Sequence, residues 1–250
     1  MAKQSGLGSA LYIDGYDLSN DIGAIDEIGG GNEPLTVTGI DKFGIERIGG
    51  HRDGRISYTA YFNPAADRAH DRLSALPTTD TIVTYALGSA IGGPSAAIVA
   101  KQIGYDPTRG DDGSLTFKVE AKANHYGVEW GEQLTAGVAD LTGAAAGSSL
   151  DYGASIGTTN HGLQAYLQVV EFTGTDATIA IQSSTDNGAG DAFANVTGAV
   201  FTTVTGIVAE RIQTGRTAAA ERYVRVNVTG TFNTMSLHVM VAKNLTATAF

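Results

Sequence analysis

Two stretches of this chain alternate apolar with polar residues, a period that a strand can use and a helix cannot. Arg55–Phe62 sets Ile56, Tyr58, Ala60 and Phe62 against Arg55, Ser57, Thr59 and Tyr61. Ser114–Asn124 sets Leu115, Phe117, Val119, Ala121 and Ala123 against Thr116, Lys118, Glu120 and Lys122. Side chains of a strand point alternately to opposite faces, so each stretch predicts a sheet with one dry and one wet face. Thr81–Leu87 and Ala96–Tyr105 read as weaker strands, and Asp14-Gly15 and Asp53-Gly54 as hairpin turn pairs. Threonine, valine, alanine and glycine dominate while glutamate, lysine and leucine, the usual material of helices, are sparse, so the expected class is all-β.

One helix interrupts this pattern. Asn63 is placed to cap it and Pro64 suits its first turn. Ala65, Ala69, Leu73 and Leu76 then fall on one stripe, and Pro77 stops it. The spacing predicts a flanking helix over 64–76, lying on the dry face of the sheet.

Around Thr135–Ser155 the strand pattern lapses. Leu141–Leu150 is small, flexible and nearly uncharged, which predicts a linker and a boundary near Gly147. Two domains are therefore expected, residues 1–147 and 148–250. The second repeats the β theme with strands at Leu163–Phe172, Ala177–Gln182, Val200–Val204, Tyr223–Val228 and Met235–Ala242, suiting a second small β-sandwich.

Charge and cysteine usage narrow the function. The chain has no cysteine, which excludes disulfides and thiolate metal sites. Its formal charge is −10, the wrong sign for a protein that grips nucleic acid with lysine and arginine. Residues 1–147 carry 19 acids and 11 bases; residues 148–250 carry 7 and 5. Seven acids and no base lie between Lys3 and Lys42, a pattern that reads first as a solvated acidic face. The amino terminus has no apolar core of signal-peptide length, and no stretch has the apolar length of a membrane span. Assembly in a cytoplasm, away from membranes, is the expectation.

The search for chemistry yields little. Gly153-Ala-Ser155-Ile-Gly157 matches the nucleophile-elbow pattern, but it sits in a Gly/Ala/Ser stretch without the strand and helix that an elbow needs. His51, His70, His125, His161 and His238 are scattered, with no metal-ligand spacing. Asp106–Gly113 is acidic, yet Gly110 stands where a calcium loop needs an oxygen ligand, so it reads as a turn-rich loop feeding the Ser114 strand. No catalytic residue, cofactor or metal is expected.

A longer resemblance does emerge. Ile40-Asp-Lys-Phe-Gly-Ile-Glu-Arg-Ile-Gly-Gly-His-Arg-Asp-Gly-Arg-Ile-Ser-Tyr-Thr-Ala-Tyr-Phe-Asn-Pro64, the stretch from His70 to Asp80, Val99–Leu115 and Gly127–Gly131 together resemble the major tail (tail-tube) proteins of long, non-contractile-tailed phages, especially those infecting actinobacteria. The likeness spans about residues 10–140. It implies a β-sandwich or barrel with a flanking helix, and subunits that form hexameric rings stacked into the tube of a virion tail. It also implies tape-measure, tail-terminator and distal-tail proteins as partners, with DNA passing through unbound. Asp21, Asp26, Glu27, Asp53, Asp111 and Asp112, all in expected loops, become candidates for the lumen wall or for ring stacking. Residues 148–250 match no such phrase and are expected to decorate the tube or to contact host-surface glycans. The competing readings are a carbohydrate-binding, adhesin-type two-domain β protein and, third, a hydrolase built on Ser155.

Overall fold

The computed structural model describes residues 5–247. Its strands are β1 (Ser9–Ile13), β2 (Tyr16–Asp17), β3 (Ile22–Thr36), β4 (Arg47–Tyr61), β5 (Thr81–Leu87), β6 (Pro94–Arg109), β7 (Leu115–Ala123), β8 (Glu129–Gln133), β9 (Ala139–Leu141), β10 (Ala145–Ala146), β11 (Leu150–Asp151), β12 (Leu163–Ser184), β13 (Ala194–Val200), β14 (Val208–Gln213) and β15 (Tyr223–Lys243). One short α-helix accompanies them among the described residues, α1 (Ala69–Leu73). The chain is all-β with antiparallel pairing, as its alternation requires.

The chain divides into two compact units. A core unit gathers the residues up to Asn20, Ile82–Ala97 and the chain from Trp130 onward; an arm unit comprises Asp21–Thr81 and Ile98–Glu129. The core unit is built on the long β12–β15 pair, with β14 and β13 on the other edge of β12. Where four strands were expected there are two, each about twice the expected length. The register shifts midway, near Gly174 and Gly230, where a Cβ would come within 2.4 Å of Phe232 Cα and 2.5 Å of Asp176 O respectively. Leu163, Leu167, Ile179, Ile181, Val226, Leu237 and Val239 meet in one core with Val196, Phe201 and Val204. Each such side chain contributes roughly 1.5–3 kcal/mol by leaving water.

The expected linker is part of this unit. Leu141 pairs with Met235, Ala145 with Val228, Ala146 with Asn227 and Leu150 with Val224. Ladders of two or three residues leave no period of two in the sequence, and small side chains are what fit against Val224–Val228. A cut at Gly147 runs through the core unit. A chain ending at Gly147 keeps the whole arm unit but loses β15, so its amides from Ala139 onward should exchange as in an unfolded chain; protection there would contradict these pairings.

The Asp14-Gly15 turn forms as expected, with both residues at positive φ, 50° and 84°, closing the β1–β2 hairpin. Gly15 N–H donates to the buried Gln168 side chain at 2.7 Å, fixing the hairpin on β12. Beside it, His238 is fully buried and stacked on Tyr12 at 4.7 Å. Its Nδ1–H donates to Gly137 O at 3.0 Å, and its Nε2 has no partner among the described residues. Burial pushes the imidazole down to about 4, against smaller opposing effects from the Gly137 bond and Asp17. A depressed histidine holds the folded state only while neutral. That stability is present above pH 6.5 and is lost as pH falls toward 4, by up to roughly 3 kcal/mol. Urea midpoints measured across this range should fall more steeply for the wild type than for His238→Gln; parallel curves would contradict this.

The arm unit is a four-stranded antiparallel sheet in the order β3–β4–β7–β6. Its dry face is the one expected: Ile56, Tyr58 and Ala60 are buried beside Phe117, Val119 and Ala121, although Phe62 is exposed. The helix is shorter than expected, five residues instead of thirteen. Asp67 and Leu76 take positive φ (62° and 44°), which ends helical geometry on either side. Ala69 and Leu73 are buried while Ala65 and Leu76 are exposed, so only part of the apolar stripe is used. Asn63 is not the cap; the buried Asp21 carboxylate accepts Ala69 N–H at 3.1 Å and the Asn63 amide at 2.8 Å.

Candidate functional site

The β3–β4 hairpin is long, with fifteen residues in each strand. Over its inner part, Ile22–Gly29 against Arg55–Ala60, it belongs to the sheet. At Gly30 and Gly54, which face each other, the character changes. Gly30 has φ 146°, and a Cβ there would lie 2.4 Å from Gly54 Cα; a Cβ on Gly54 would lie 2.8 Å from Val128 N. The close approach of backbones explains why Asp53-Gly54 is not a turn but the middle of a strand, paired with Gly31 and Gly30. Beyond that point both strands continue to Thr36 and Arg47 as an arm whose residues are exposed except for half-buried Gly50.

The tip is ordered by its own hydrogen bonds. Val37 N–H donates to Glu46 O at 2.9 Å, Glu46 N–H to Thr38 Oγ1 at 2.9 Å, and Lys42 N–H to Gly39 O at 3.1 Å. It nonetheless holds its apolar side chains in water. Ile40 and Phe43 are fully exposed, at 110% and 111%, and Leu35, Val37, Ile45 and Ile48 are exposed around them. Six large apolar side chains exposed on one hairpin are a candidate interaction surface.

Among the described residues, the sheet has two edges that lack a partner strand over much of their length. β3 pairs with β4 alone, and its other side meets no strand among the described residues. At the opposite edge, β6 pairs with β7 through Arg109; the side chains of Lys101 and Gln102 donate to the Thr78 and Leu73 carbonyls, and among the described residues no strand beyond seven-residue β5 pairs with its outer side. A long unpaired edge is a template for another chain unless it is guarded. Pro34 and the acids Asp26, Glu27 and Glu33 are the guards on β3, and they leave its glycine-rich centre open.

The six candidate carboxylates do not gather in one place, and four of them are not in loops. Asp21 is buried as the helix cap described above. Asp26 and Glu27 lie on β3 and Asp53 on β4, where they form a charged wet face. Glu27 makes two bonds to Arg55, 2.7 and 2.9 Å, which hold its carboxyl below the usual range. Asp26 accepts Thr59 Oγ1–H at 3.0 Å, and Asp53 lies 3.9 Å from Lys122. Lys101 is held by Asp80 at 2.8 Å. Arg55, Lys101 and Lys122 thus each lie beside a carboxylate. Asp111 and Asp112 sit in the β6–β7 turn at the other end of β7, where Asp112 accepts Ser114 N–H at 2.9 Å and its carboxyl is lowered by it.

Sequence reasoning did not single out the apolar tip. Ile40, Phe43, Ile45 and Ile48 fall within the phrase that carries the resemblance and Leu35 and Val37 just before it, but their irregular spacing around Gly39 and Gly44 gives no period. The only signal available was an apolar loop too rich in large side chains for a turn. Elsewhere, Ser155 is exposed in a turn closed by Gly157 N–H to Gly153 O at 2.9 Å, with no helix after it. No cluster of three or more metal-ligating side chains forms among the described residues.

No family profile matches the chain, and no curated protein matches it by sequence. Among solved structures, it is similar to the tail of an empty gene transfer agent particle with C6 symmetry (16% identity, TM-score 0.41, covering 49% of this chain and 95% of that one). It is also similar to the Dit protein of phage SPP1, described as a hub of the adsorption apparatus in phages infecting Gram-positive hosts (14% identity, TM-score 0.33, 93% and 98%). A third is a chain of the phage p2 baseplate in its activated conformation (10% identity, TM-score 0.27, 94% and 98%).

Proposed function

We propose that this chain is a structural subunit of a phage tail, assembling with copies of itself into stacked rings that form a tube for DNA. The observation that carries this reading is the arm unit's four-stranded sheet, open at both edges. Joining the β3 edge of one copy to the outer β6 edge of the next satisfies both rows of backbone groups and closes a ring when the rotation closes. With the six copies that the sequence resemblance implies, such a wall has about twenty-four strands, more than the 16–18 that already enclose an aqueous channel.

The charge suits the passage of DNA. The arm unit holds 15 acids and 10 bases, and Arg55, Lys101 and Lys122 are paired with carboxylates. A wall of this kind repels phosphate instead of retaining it. Asp26, Glu27 and Asp53 are the candidates for its lumenal charges; Asp111 and Asp112 are candidates for ring stacking. Tape-measure, terminator and distal-tail proteins would be its partners in the virion. Negative-stain electron microscopy of purified, concentrated protein tests the reading. Rings or tubes are expected, and a single small species at every concentration would overturn it.

A further inference from the structure

The core unit carries an apolar pocket of about 190 Å³ beside β9 and β10, lined by Leu134, Ala139, Leu141, Ala146, Val226 and Leu237 among others. Its one buried hydroxyl, Thr135, donates to Gly137 O at 2.7 Å, and none of the unpartnered buried polar atoms lines it. Nothing in it would hold a sugar or an ion. A cavity of roughly 150 Å³ with an aliphatic lining is enough for a benzene ring. The same chain displays one phenyl ring wholly in water, on Phe43.

We propose that Phe43 of one copy enters this pocket on the core unit of another, with Ile40 and the rest of the tip covering the rim. This rests on the self-assembly reading and names the surface that receives the arm. The six apolar side chains of the tip are between 44% and 111% exposed, apolar surface that a second copy would take out of water. The knob and the hole are different surfaces of the same chain. Their contact is therefore heterologous, and each added copy brings a fresh knob and a fresh hole. Assembly through this contact propagates.

The absence of native cysteine makes a direct test available. Gly44→Cys has open space around its Cβ and leaves Phe43 intact; Ser148→Cys sits on the exposed rim of the pocket. A double variant treated with a short bifunctional thiol cross-linker should give a covalent ladder on a denaturing gel. The ladder should be at least tenfold stronger than that from Gly44→Cys with Ser155→Cys, and should fall at least tenfold when Phe43→Ala is added. Rings or tubes in the micrograph without a ladder would overturn the pocket assignment alone, as would a product confined to single chains. A preparation with no assemblies at any concentration would overturn the self-assembly reading with it.

Discussion

Replacing Ile40 and Phe43 together by aspartate should give a folded protein that no longer assembles. Both side chains are fully exposed in the isolated chain, so their loss removes no packing within it. The unfolding midpoint should stay within a few degrees of the wild type. In an assembly, covering two large apolar side chains contributes roughly 3–6 kcal/mol per contact. That corresponds to about two to four powers of ten in the concentration needed to assemble. Sedimentation velocity separates the outcomes, because the variant should remain a single small species where the wild type forms large ones. Wild-type assembly by the variant would show that the tip is not an interface.

Phe117→Asp should have the opposite signature, loss of folding before any question of assembly. Phe117 is buried on the dry face of β7 and stacks on Tyr105 at 4.3 Å with rings nearly parallel. Tyr105 in turn bonds His70 of α1 at 2.9 Å, so this ring links the sheet to the helix. A carboxylate in its place loses the stack and buries a charge without a partner, a cost on the order of 4 kcal/mol or more. Against a typical total of about 5–15 kcal/mol, that is enough to unfold the arm unit at ordinary temperatures. Phe117→Leu should cost only about 1–2 kcal/mol and remain folded. Thermal melts of the two variants, read against the wild type, test the assignment; a stable Phe117→Asp protein would contradict the orientation of β7.

The parts of the fold that could be read from the sequence are those where one face is dry and one wet. β7 and the inner half of β4 alternate cleanly, because burial on a single face writes a period of two; β5 was bounded correctly at both ends although its neighbours Val83 and Thr84 are both buried. β3 was invisible for a physical reason. Its pairing with β4 shifts register after Ile22, Ile25 and Asn32, and each shift moves the side chains to the other face. Its three consecutive glycines add no side chains to the pattern. The joined halves of β12 and β15 were split because their midpoints carry glycine, threonine and bulges.

Larger errors came from long-range organisation. The core unit is assembled from three segments widely separated in the chain, and no local pattern announces that Ser9–Ile13 and Leu163–Ser184 share a unit. The helix was over-extended because an apolar stripe records spacing, while Asp67 and Leu76 break it through backbone angles. For the candidate site, the carboxylates were legible as an acidic run but not their roles: Asp21 caps, Glu27 pairs, and only the fold shows which. The longest phrase of the resemblance takes in Ile40, Phe43 and the β4 side of the arm without indicating that Ile40 and Phe43 stand in water.

The central claim is that the outer edge of β3 lies open in one copy and closed between copies. Amide hydrogen exchange along Ile22–Thr36, compared between dilute monomer and assembled protein, measures it directly. The account predicts that the outward-facing amides of β3 exchange quickly in the monomer and at least a hundredfold more slowly once assembled. Equal exchange in the two states would mean that copies join elsewhere, and the open-edged sheet would lose its role as the wall of a tube.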